Sequence, residues 1–159
     1  MLTIRPATPA DVPTLIQFIR ELADYEKLLH ECHATAPDLH IHLFGPTPYA
    51  QAILACIDGA PVGFALFFHN YSTFRTRPGI YLEDLYVQPH HRGSGIGKAL
   101  LKHLAKIALS QNCARLEWSV LNWNTPSIAF YESLGATPQS DWTTFRLTRQ
   151  PLQDLAATP

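Results

Sequence analysis

The chain has 159 residues, of which 47% are hydrophobic and 16% charged, with a formal net charge of −1. That size holds a sizeable core in one domain, residues 1–159, and the charge balance gives no general attraction to nucleic acid or to an anionic membrane. Cys32, Cys56 and Cys113 are odd in number and show no CxxC spacing, the N-terminus carries no apolar signal core, and the longest apolar run, Val62 to Phe68, is too short to span a bilayer. These features point to a cytoplasmic protein with free thiols.

In chain order, Leu2 to Arg5 reads as an edge strand stopped by Pro6. Thr8-Pro9-Ala10-Asp11 supplies an N-cap, a proline at the first helical position and an acid at the third, and Val12, Leu15, Ile16, Ile19, Leu22 and Ala23 keep one helical face to about Tyr25. Thr35-Ala36-Pro37-Asp38 repeats the cap before a short helix that Gly45 stops. Tyr49 to Ile57 and Pro61 to Phe68 are strands joined through the hairpin signal Asp58-Gly59. His69 to Gly79 reads as a polar, aromatic connection and Ile80 to Val87 as the central strand. A helix runs from Ile96 through Leu100, Leu104, Ile107 and Ala108, and a strand from Arg115 to Leu121. Thr125-Pro126 opens a helix that Gly135 closes, and Thr143 to Leu147 is predicted as a last strand before a weakly patterned tail.

The chain is organised around Tyr81 to Leu101, a strand, a basic glycine-rich turn and a helix. Glycines at 93, 95 and 97 allow positive φ and close approach, and the first N–H groups of the helix face the turn, so phosphate is the natural guest. A P-loop is excluded because Gly97-Lys98 precedes Ala99 rather than a hydroxyl residue, and Lys98 fills the sixth position of a dinucleotide fingerprint. Arg92-Gly93-Ser94-Gly95-Ile96-Gly97 resembles the acetyl-CoA pyrophosphate loop of the GNAT superfamily of N-acetyltransferases. The order β-α-α-β-β-β-α-β-α-β is similar to that family's fold, an α/β architecture with a mixed twisted sheet and helices on both faces.

A second constellation strengthens the resemblance. Asn124, Ser127, Tyr131 and Gly135 keep the spacing of the family element that follows the fifth strand. The resemblance implies that Asn124 and Ser127 contact the cofactor and that Tyr131 sits near the thioester sulfur as general acid. It also implies that Arg92, Gly93, Ser94, Gly95, Ile96, Gly97 and Lys98 hold pyrophosphate, while backbone N–H groups of Leu85, Tyr86 and Val87 serve the cofactor and the oxyanion.

An attacking amine with an ordinary pKa of about 10.4 must lose a proton, and Glu83 and Asp84 stand just before the loop. Adjacent strand residues face opposite ways, so only one is expected to point at a given amine, and the resemblance favours Glu83 as base, directly or through water. Ordinary carboxylates at a strand end are the alternative. No covalent intermediate is required, and His40, His42, His90 and His91 lack accompanying ligands at metal spacing, so no metal is expected.

Within the family the whole chain most resembles the diamine/thialysine N-acetyltransferase group, from Arg5-Pro6-Ala7-Thr8 and Glu21 to Glu26 through Tyr81 to Asp84 and on to Trp123-Asn124 and Tyr131. That resemblance implies that Tyr25, Glu26, Glu83, Asp84, Glu117, Trp118 and Ser119 line the amine side, and that the protein is a homodimer. Tyr71-Ser72-Thr73-Phe74 lacks the aspartate and tryptophan of the spermidine/spermine branch, which directs the expectation to a lysine-like amino acid or short diamine. A protein or peptide acetyltransferase and a CoA-binding protein without turnover are the alternatives.

Overall fold

The computed structural model describes residues 1–159, in two units, 1–121 and 122–159. The first holds β1 (Leu2–Pro6), α1 (Val12–Tyr25), α2 (Ala36–Phe44), β2 (Gln51–Ile57), β3 (Ala60–Ser72), β4 (Arg77–Val87), α3 (Ile96–Ser110) and β5 (Leu116–Trp118). The strands lie in sequence order, antiparallel from β1 to β4 and parallel between β4 and β5. Mixed pairing follows from the connections: Asp58 (φ 49°) and Gly59 (φ 86°) make the two-residue turn between β2 and β3, whereas β4 reaches its parallel neighbour only through the α3 crossover.

Alternation in β2 distributes the core to both faces of the sheet. Ala52, Leu54 and Cys56 join Phe64 and Tyr86 against Leu15, Phe18 and Leu22 of α1 and Leu43 of α2. Ile53 and Ala55 are buried on the opposite side, and α3, which packs across the sheet, contributes Ile96, Leu100, Leu101, Leu104 and Ala108. The start of α1 is fixed by buried Asp11, whose carboxylate accepts from both Arg5 nitrogens (2.7 and 2.8 Å) and from the Thr8 backbone N–H and hydroxyl (2.8 Å each).

Three expectations are corrected. The connection expected over residues 69–79 is mostly strand: β3 runs on to Ser72 and β4 starts at Arg77, leaving a turn at residues 73–76 in which Thr76 N–H bonds Thr73 O (3.2 Å). Polar side chains are tolerated there because the ladder with β4 holds the backbone. The fifth strand shrinks to Leu116–Trp118. Residues 143–147 form no strand, because alternation without a ladder partner does not make one, and the tail instead forms α5 (Arg149–Ala157), supported by a Gln150 to Asp154 side-chain bond of 2.7 Å. The second unit holds α4 (Thr125–Ser133) and α5. No helix is long and apolar enough to cross a membrane.

Candidate active site

The decisive local feature is a bulge in β4. Leu66 stands opposite Asp84 while the next residue, Phe67, stands opposite Leu82, so Glu83 is an extra residue in the strand. Leu66 and Phe68 lie on one face of β3, and their partners Asp84 and Tyr81 therefore share a face of β4. Glu83 follows Tyr81 by two, so Glu83 and Asp84 project side by side toward the face that α1 covers. The expectation that they point opposite ways fails because the bulge resets the alternation.

Glu26, one residue past the end of α1, completes an acidic group. The Asp84 carboxyl is pushed up to about 7, first by burial and then by the charges of Glu83 and Glu26. Glu26 is also raised, by burial and by Glu83. An acidic group under mutual repulsion favours a cationic guest.

β5 ends its pairing at Trp118 opposite Leu82, so β4 continues from Glu83 to Val87 past the end of its parallel neighbour. Gln88 N–H bonds Val62 O across β3 (2.9 Å), and alternation then turns the amides of Tyr86 and Asp84 toward β3 and those of Leu85 and Val87 toward the vacated side. The Tyr86 phenol is used elsewhere: it donates to Glu21 Oε2 at 2.7 Å, and burial, followed by that bond, pushes it up to about 12.

In the loop, Gly93 (φ 77°) and Gly95 (φ 86°) adopt the left-handed conformation, and nothing lies within 4 Å of a Cβ placed at either. Gly95 is the N-cap of the fifteen-residue α3, Ser94 Oγ donates to His91 O (2.5 Å), and buried Ile96 anchors the first turn. An open concavity of backbone N–H groups at a helix N-terminus suits a pyrophosphate, so these residues fit the group the motif implies. Lys98 is exposed on the first turn. The exposed Arg92 side chain reaches back along β4 toward α1: Nε donates to Val87 O at 2.8 Å, and the guanidinium lies 4.7 Å from the Tyr25 ring centroid and 5.6 Å from that of Tyr86.

On β5, Glu117 is engaged by Arg115 Nε (2.6 Å) and Asn70 Nδ2 (3.0 Å), and just past the strand the Ser119 hydroxyl lies 2.7 Å from Tyr81 Oη. Trp118 alternates to the other face, opposite Leu82. Sequence reasoning grouped these three residues on the amine side; the structure divides them between two faces. In the second unit, Asn124 Oδ1 accepts the Ser127 N–H (3.4 Å) as the N-cap of α4, and the rings of Phe130 and Tyr131 lie 5.4 Å apart. No three His, Cys, Asp or Glu side chains form a group that could hold a metal ion. Glu21 stands in the sequence only as part of the Glu21 to Glu26 stretch of the resemblance, with no role of its own; the structure gives it the Tyr86 phenol.

The bulged strand, open along one edge, and the glycine loop that caps α3 have the form that the motif resemblance implies for an acyltransferase. Residues 16–136 match the acetyltransferase (GNAT) family, and the chain belongs to that family. It is 38% identical to the thialysine N-epsilon-acetyltransferase of Bos taurus, over 96% of each chain. It is 30% identical to L-ornithine N5-acetyltransferase NATA1 of Arabidopsis thaliana, over 94% of this chain and 86% of that one. Among solved structures, an integron cassette protein from V. cholerae superposes with a TM-score of 0.82 at 28% identity, over 99% of this chain and 98% of that one.

Proposed function

We propose that the enzyme transfers the acetyl group of acetyl-CoA to the side-chain amine of a lysine-like amino acid such as thialysine, or of a short diamine, by direct attack in a ternary complex. The observation that carries this reading is the bulge that turns Glu83 and Asp84 to one face beside Glu26. Such an acidic wall attracts a substrate that keeps one ammonium while the other reacts. The names of the relatives support it, since thialysine and ornithine are amino acids with a primary amine on the side chain.

When bound, acetyl-CoA supplies the acetyl thioester. The residues to hold it are Arg92 to Lys98 of the loop, through main-chain N–H groups at the start of α3, with Asn124 and Ser127 on the pantetheine arm. Tyr25 and Glu26 line the amine with Glu83, Asp84, Glu117 of β5 and Ser119 just after it. Glu83 accepts the proton that the ammonium gives up, directly or through water, leaving the neutral amine to attack the carbonyl carbon. The amides of Leu85 and Val87 donate to the oxygen on which negative charge develops, with the Tyr86 backbone between them holding the strand. As the C–S bond breaks, Tyr131 gives its proton to the departing thiolate, and the second proton lost by the attacking nitrogen as the amide forms returns to the Tyr131 phenolate. No metal enters any of these steps.

The family match crosses residue 121, which supports one catalytic domain over residues 1–159. The reading extends to a cytoplasmic homodimer. Thiol release from acetyl-CoA, measured against thialysine, lysine, ornithine, putrescine, spermidine and a lysine-containing peptide, tests the proposal. Preference for the amino acids in kcat/KM is expected. Preference for the peptide would replace the reading with a protein acetyltransferase, and tight CoA binding without turnover would replace it with a non-catalytic CoA-binding protein.

A further inference from the structure

The side chain of the first residue of the glycine loop reaches beyond the loop. Arg92 Nε is bonded to Val87 O, and the guanidinium lies against Tyr25, the last residue of α1, and against Tyr86 of β4. Tyr86 Oη is held by Glu21 Oε2, and Glu21 Oε1 accepts from Gln17 Nε2 at 2.7 Å, so the Tyr86 ring is itself tied to α1 one turn before Tyr25. The planar guanidinium thus bridges the end of α1 and the edge of β4. A cation near the C-terminus of a helix is favourable, and a cation over a phenol ring holds that ring in place.

From this arrangement we infer that Arg92 is a positioning residue for the amine side: it fixes Tyr25, and with it the turn that carries Glu26, against the bulged segment of β4. This rests on the reading above that Tyr25 and Glu26 face the amine. It adds that the loop which takes the pyrophosphate also sets the amine wall, so that one substitution in the loop disturbs both substrates. Arginine suits the role because lysine can supply the charge but neither the planar stack nor the Nε–H bond.

The test is a double-mutant cycle with Tyr25→Leu, Arg92→Gln and the pair, reading the KM of thialysine separately from the dissociation constant of acetyl-CoA. Tyr25 is partly exposed, and a thermal melt of each variant establishes that it folds. Arg92→Gln is expected to raise the thialysine KM about fivefold, the loss of a cation–π contact and its orientation. In the Tyr25→Leu background the same substitution is expected to leave that KM nearly unchanged, because the ring that Arg92 positions is gone. Arg92→Lys is expected to restore part of the thialysine KM. If the two effects on the thialysine KM multiply, or if Arg92→Gln moves the acetyl-CoA constant alone, Arg92 serves only the loop and the inference is overturned. If Tyr25→Leu leaves the thialysine KM unmoved, the assignment of α1 to the amine side fails, and the inference falls with it.

Discussion

Asp84 offers a prediction whose sign and size both come from the structure. Its carboxyl ordinarily titrates near 3.8 and is pushed up to about 7 here, by burial and then by Glu83 and Glu26. Between those values the folded protein keeps a proton that the unfolded chain has released, so the unfolded state binds fewer protons and stability falls as pH rises from about 4 to 7. At roughly 1.36 kcal/mol per pH unit the fall attributable to this group has a ceiling of about 4 kcal/mol, and partial solvent access brings the expectation to about 2 kcal/mol. Asp84→Asn cannot ionise and removes this term together with its repulsion of Glu83 and Glu26. Urea denaturation at pH 4 and pH 8 of both proteins measures it: the loss of stability between the two conditions should be about 2 kcal/mol smaller in the variant. Equal pH dependence in the two proteins would refute the argument, because it would mean that Asp84 is ionised and solvated in the folded state.

Other outcomes follow from single sites. Gly95→Val forces a β-branched residue to a φ of 86° and should cost about 1–2 kcal/mol while weakening acetyl-CoA binding about tenfold; Gly59→Val carries the same φ in the β2–β3 turn, outside the loop, and should cost as much stability with no change in binding, as calorimetry would record. Asp11→Ala strips Arg5 of both its carboxylate bonds and should cost about 2–3 kcal/mol in urea. Arg5 holds the Asp11 carboxyl well below the usual carboxylate range, so this contribution is present above pH 4 and disappears as pH falls below it, and the wild type and variant should converge in acid. Tyr131→Phe should lower kcat about a hundredfold in the thiol-release assay with little change in the acetyl-CoA dissociation constant, the signature of a lost general acid.

Much of the fold could be read from local chemistry. The proline-containing caps at Thr8 and Thr35, the Asp58-Gly59 turn and the glycine N-cap of α3 stand where the residue types require them. The strand ends could not be read this way. His69 to Ser72 are strand because β4 pairs with them, and Thr143 to Leu147 are not because no neighbour does. The site divides along the same line. The acidic residues and the loop were visible as residue types in a row, but the bulge is a property of register between two strands, and register is absent from one strand read alone. The turn of Arg92 onto Tyr25 joins residues 67 positions apart, which is 92 − 25, and no local pattern encodes it.

The most direct test of the central claim is the product itself. Incubation of the protein with acetyl-CoA and thialysine, followed by mass spectrometry, should reveal thialysine carrying one acetyl group on its side-chain amine, formed in equal amount to free CoA. Free CoA without acetylated thialysine, or acetyl-CoA left intact beside protein that binds it, would contradict the account.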